Sequence, residues 1–242
     1  MEIRRPDFGD MTRYSLAEHK ATSNSEILRI INDIEPQEND LLMLDVDGTL
    51  RPTCERMGPG IIRGLQQRQI YRYLVSVGLG FRFPDSVNED LLAECRNFNC
   101  YRAVVTDNTV GGHWVSSFVS RLFNYETWMN VARRYEYDIF SVDTNKSGLK
   151  ALETRLWYFT KLIVELIMER TITKPYKGTD GHGGLDIVCQ YALSLGQGNK
   201  IIMVGDSPRD LDFLKRLGEV AFSFHHLPSS LHYINRCVGN EK

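Results

Sequence analysis

The feature that most constrains this chain is an apolar run that stops at two acids. Leu41-Leu42-Met43-Leu44 leads into Asp45-Val46-Asp47-Gly48-Thr49-Leu50. Read as a short strand buried on both faces, it would carry Asp45 and Asp47 to the rim of a sheet. An Asp-Gly pair between apolar runs also suits a hairpin turn, so this segment alone leaves both readings open. A calcium loop is excluded, because Leu50 stands at the glycine position and no glutamate closes a twelve-residue loop.

A second run of the same kind weighs against the hairpin. Ile201-Ile202-Met203-Val204-Gly205 is followed by Asp206-Ser207-Pro208-Arg209-Asp210. Helix capping accounts for Ser207, Pro208 at the first helical position and Asp210 three residues after the cap. It does not account for Asp206, a carboxylate set straight after a strand and a glycine. If the two strands are neighbours, Asp45, Asp47 and Asp206 converge. Clustered carboxylates repel unless a cation binds, and an all-oxygen site suits magnesium.

The remaining pattern alternates strands with helices. Strands are predicted at Leu41–Val46, Arg102–Thr106, Asp138–Val142, Lys200–Val204 and Glu219–Phe222. Helices are predicted at Ser25–Ile34 and near Glu89–Asn97, His113–Arg134, Gly148–Arg170, Leu185–Leu195 and Pro208–Leu217. In Gly148–Arg170, Leu149, Leu152, Leu156, Phe159, Ile163 and Leu166 recur at helical spacing, which predicts a core-facing stripe. Such alternation implies an α/β fold: a three-layer, Rossmann-like core around a mostly parallel sheet, with ligands outside the carboxyl ends of the strands. Residues 1–38 are polar and read as an N-terminal extension, and 39–242 as the α/β domain. Residues 51–85 hold six arginines and the acids Glu55 and Asp85 among interleaved apolar residues. That segment reads as a small flap or cap inserted after the acidic pair, where Arg56 and its neighbours could attract an anionic substrate, or equally serve as a solvated basic face or a partner-binding patch.

Composition excludes several classes. A net charge of -2 gives no global pull toward nucleic acid, and the longest apolar stretch is broken by Lys161 and Glu165. No signal-peptide order appears at the N-terminus, and the five scattered cysteines contain no CxxC pair. These features predict a cytoplasmic protein with reduced thiols, no membrane partner and no nucleic-acid partner. They leave the oligomeric state open.

Asp45-Val46-Asp47-Gly48-Thr49 resembles the first signature of the haloacid dehalogenase-like hydrolase superfamily, and Gly205-Asp206-Ser207-Pro208-Arg209-Asp210 resembles its fourth. Val104-Val105-Thr106-Asp107-Asn108 is similar to the second, and Thr171-Ile172-Thr173-Lys174-Pro175 to the third. Asp107 stands where that superfamily often shows Asn. The resemblance spans roughly residues 40–225 and implies a phosphatase-type member. It would make Asp45 the nucleophile and Asp47 the general acid and base. Mg2+ would be held by Asp45, the main-chain carbonyl of Asp47, and Asp206, with Asp210 behind it. Thr106, Asp107 and Lys174 would bind the phosphoryl group, Lys177 being the alternative amine. The implied activity is hydrolysis of a phosphomonoester, on a small molecule or a phosphoprotein. Phosphotransfer, as in a phosphomutase, and a non-catalytic binding or regulatory role are the alternatives.

Overall fold

The computed structural model describes residues 14–46, 48–50, 87–106, 128–141, 149, 152, 199–223 and 228–237. They form strands β1 (Ser15–Ala21), β2 (Leu41–Asp45), β3 (Tyr101–Thr106), β4 (Asp138–Ser141), β5 (Lys200–Gly205) and β6 (Ser230–Arg236). The helices are α1 (Asn24–Ile34), α2 (Glu89–Cys95), α3 (Trp128–Arg134) and α4 (Pro208–Ser223). The strands make one six-stranded sheet in the order β1-β6-β5-β2-β3-β4, and every neighbouring pair is parallel. This is the α/β architecture expected from the alternation.

Pleating sorts the central strands onto two faces. Leu42, Leu44, Val104, Ile202 and Val204 face a core that includes Ile27, Ile30 and Ile31 of α1, Leu91 and Leu92 of α2, and Met129 and Val131 of α3. Leu41, Met43, Val105, Ile201 and Met203 face Phe213, Leu214 and Leu217 of α4. Helices therefore cover both sides, and a strand buried on both sides must read as an unbroken apolar run. The chain steps from β2 to β3 to β4 in one direction with helices on one face. It steps from β5 to β6 in the other direction with its helix on the opposite face. Right-handed crossovers require that reversal. It places a topological switch point between β2 and β5.

Two polar devices fix β2 against its neighbours. Asp40, buried at the amino end of β2, accepts the Lys200 amide at 2.9 Å and the Gln37 amide at 2.7 Å. Its own carbonyl accepts the Tyr101 amide at 2.9 Å. One residue thus sets where β3 and β5 begin alongside β2. At the other end, the Asn88 amide donates to the Leu50 carbonyl at 2.5 Å. The Asn88 side chain exchanges two 2.8 Å hydrogen bonds with the Asn24 side chain and accepts the Leu91 amide as the cap of α2.

Three expectations change. Residues 15–34, read as part of a peripheral extension, supply the edge strand β1, paired in register with β6 from Ser15↔Ser230 to Ala21↔Arg236, and the core residues of α1. The strand expected at Glu219–Phe222 is instead the last part of α4; a short apolar run carries no period that separates strand from helix end. Leu149 and Leu152, placed on a core-facing stripe, are exposed. The flap at 51–85, the helix at Leu185–Leu195 and the rest of Gly148–Arg170 lie outside the described residues.

Candidate metal centre at the carboxyl edge of the sheet

Register carries the acids to one place. Leu44 pairs with Val204, so Asp45, ending β2, lies level with Gly205, and Asp206 follows one residue on. On the other side Asp45 pairs with Val105, which puts Thr106 one residue beyond it at the end of β3. Asp45, Asp210 and Thr106 are buried, while Asp206 is half-buried. Asp45, Asp206 and Asp210 each offer a carboxylate oxygen within 4.8 Å of the others.

The turn after each strand is shaped for this approach. Gly48 has φ +84°, and a Cβ there would overlap the Asp206 carboxylate. A Cβ on Gly205 would lie 2.6 Å from the Asp210 carboxyl carbon. Both glycines are therefore required by close approach, and Gly48 by its backbone conformation as well. Beyond Gly205, Ser207 and Asp210 cap α4 reciprocally. The Arg209 amide donates to Ser207 Oγ at 3.3 Å, and the Ser207 amide donates to Asp210 Oδ2 at 3.1 Å. Asp210 thus fixes the helix start and joins the acidic group with one carboxylate.

β6 contributes two side chains that the motifs did not reveal. The buried Tyr233 hydroxyl reaches the Ser207 carbonyl at 2.8 Å and the Gly205 carbonyl at 3.3 Å, tying the β5–α4 corner to β6. Arg236 is the second. Asn235 pairs with Gly205, so Arg236 stands level with Asp206. Its Nη1 donates to the Thr49 carbonyl, in the turn that follows Asp45. Burial presses its guanidinium below the ordinary value, and the Asp206 carboxylate opposes that shift. The alternation in Ser230–Arg236, with Leu231 and Tyr233 facing one core and Ile234 the other, is the sequence signal that could have found this strand.

The donor set suits a hard divalent cation. Two ionised carboxylates at this spacing repel by roughly 3–4 kcal/mol at an effective dielectric near 20, and all three groups are oxygen donors of the kind magnesium takes. Among the described residues the buried thiols are weak nucleophiles: burial pushes Cys95 up strongly and Cys100 up to about 11, which favours the protonated form of each. Of the residues singled out in the sequence, Asp45, Thr106, Asp206 and Asp210 are brought to this edge. Asp47, Arg56, Asp107, Lys174 and Lys177 lie outside the described residues. Among the described residues no helix is long and apolar enough to cross a membrane. No protein-family model, curated protein or solved structure matches the chain.

Proposed function

We propose that this chain is a magnesium-dependent phosphomonoester hydrolase of the haloacid dehalogenase-like kind. The observation that supports the reading is the meeting of Asp45, Asp206 and Asp210 at the carboxyl edge of a parallel sheet, beside its switch point. Asp45, Asp206 and Asp210 would hold the ion, together with the Asp47 carbonyl. When bound, Mg2+ would offset the negative charge shared by the carboxylates and the phosphoryl group.

The chain's own residues then divide the work. An Asp45 oxygen attacks phosphorus while the bond to the ester oxygen breaks, giving an aspartyl-phosphate. Asp47 gives its proton to the departing oxygen. It then takes one from the water that attacks the same phosphorus, breaks the bond to Asp45 and releases orthophosphate. Thr106 is suited to donate a hydrogen bond to a phosphoryl oxygen at the end of β3. Lys174, or Lys177 in its place, would add positive charge as negative charge builds up on those oxygens. A phosphorylated small molecule or a phosphoprotein is the substrate class, and a cytoplasmic setting goes with the free Cys95, Cys100 and Cys237.

Phosphate release from an aryl phosphate tests this directly. Wild type should turn over with Mg2+ and stop with chelator, and Asp45→Asn should lose at least ~10^3-fold in kcat. Equal release by Asp45→Asn would remove the covalent route. Turnover indifferent to chelator would remove the metal.

A further inference from the structure

We propose that His19 and His232 form a second cation site, which takes a divalent transition ion of the zinc class and clips the edge strand β1 to β6. The site is separate from the acidic group and independent of the chemistry assigned to it.

Register brings the two imidazoles together. His19 pairs with Ile234 and His232 with Ala17, so the histidines are diagonal neighbours on one face of adjacent strands, within reach of each other. Their rings lie within 16° of parallel, with Nε2 of His19 and Nδ1 of His232 3.5 Å apart. A tetrahedral zinc ion, with bonds of about 2.0–2.1 Å, sets two ligating nitrogens about 3.4 Å apart. The pair therefore has nearly the spacing of a chelate before any ion arrives, and the soft χ2 of each ring lets both lone pairs turn toward one ion. A mutual N–H···N hydrogen bond is the other use of such a pair, and 3.5 Å is long for one. Among the described residues neither nitrogen has a second hydrogen-bond partner.

The surroundings admit a cation. Both histidines are half-buried, so water can complete the coordination shell. Lys200 and Asp40, of opposite sign, act on His232, and each is already engaged. Lys200 Nζ donates to the Ile34 and Glu35 carbonyls at 2.6 and 2.9 Å, and the Asp40 carboxylate accepts the Lys200 and Gln37 amides. Burial holds His232 below its ordinary 6.5, which favours the neutral imidazole that a metal requires. Imidazole suits zinc, copper or nickel, whereas magnesium prefers oxygen. His232 stands level with Ile202, short of the carboxyl end of β5 where the acids gather.

Calorimetric titration with Zn2+ in excess Mg2+ tests the site, the magnesium being there to occupy the acidic group. Wild type should bind Zn2+ at least ~10-fold more tightly than His19→Gln or His232→Gln, because the second imidazole acts at high effective concentration. Asp206→Asn should keep the wild-type affinity. Hydrogen exchange on wild type alone gives a readout that needs no variant to fold: Zn2+ should slow the amides of Ser15–Ala21, since an ion shared by His19 and His232 ties β1 to β6. Equal Zn2+ affinity in wild type and either histidine variant would overturn the proposal. So would Zn2+ binding that Asp206→Asn abolishes, which would assign the ion to the acidic group, or β1 exchange that Zn2+ leaves unchanged.

Discussion

At the scale of single residues, Gly48 shows how closely the two acidic turns are fitted. Its φ of +84° disfavours any side chain, and a Cβ would occupy space held by the Asp206 carboxylate. Gly48→Ala should therefore cost about 1–2 kcal/mol from the backbone alone, with a further loss as Asp206 is displaced. Chemical denaturation will report the first effect. If the proposed magnesium site holds, the second should appear as a smaller rise in melting temperature with Mg2+ than wild type shows, and an equal rise would mean that Asp206 accommodates the methyl. Asp45 and Asp206 were legible in the sequence because a carboxylate at the end of a buried strand has few structural excuses, whereas Asp210, which capping alone explains, was marked only by the resemblance. Arg236 and Tyr233 were not. Their roles depend on β6 lying beside β5, and no residue type announces which strand is its neighbour.

At the scale of elements, the strands that were legible are those buried on both faces, β2 and β5 above all, since burial from two sides leaves an unbroken apolar run. β1 and β6 were missed because they mix polar with apolar positions, as strands toward the margin of a sheet do. Their shared face carries a titratable pair. His19 and His232 stack with centroids 5.7 Å apart, and Nδ1 of His232 lies 3.5 Å from Nε2 of His19. Burial lowers the His232 pKa from its ordinary 6.5, helped by His19 and Lys200 and opposed by Asp40. The folded state thus binds fewer protons than the unfolded chain just below that value. The contribution to stability is present above pH 6.5 and is lost as pH falls from there through the lower folded value. Denaturant melts across this window should show wild type losing stability toward acid and His232→Gln losing less. Parallel curves for the two proteins would remove His232 as the source.

At the scale of the whole molecule, the sheet is a chain of dependencies that starts at its edge. β1 covers β6, β6 carries Tyr233 and Arg236, and those two hold the β5–α4 corner and the turn after Asp45. Deleting residues 1–22 should therefore do more than trim a tail. It strips the parallel partner of β6, removes Ala21 from the core, and exposes an unpaired strand edge. We expect the melting temperature to fall by at least ~5 °C, or the cooperative transition to disappear. An unaltered melt would restore the view of this segment as peripheral. The general outline, strands alternating with helices around a parallel sheet, could be read because periodicity is local. The strand order could not, because β1 and β6 pair across more than two hundred residues of sequence.

The hydrogen bond that joins Asn88 to Leu50 closes a neck: the turn that follows β2 and the cap of α2 meet at one spot. Whatever length of polypeptide hangs from such a neck exerts little pull on the strand beneath, since doubling a closed loop costs only about 0.6 kcal/mol. The length of the span from 51 to 86 is therefore only weakly constrained by the elements it joins. A change of length between these two anchors would leave the close approach of Asp45, Asp206 and Asp210 in place.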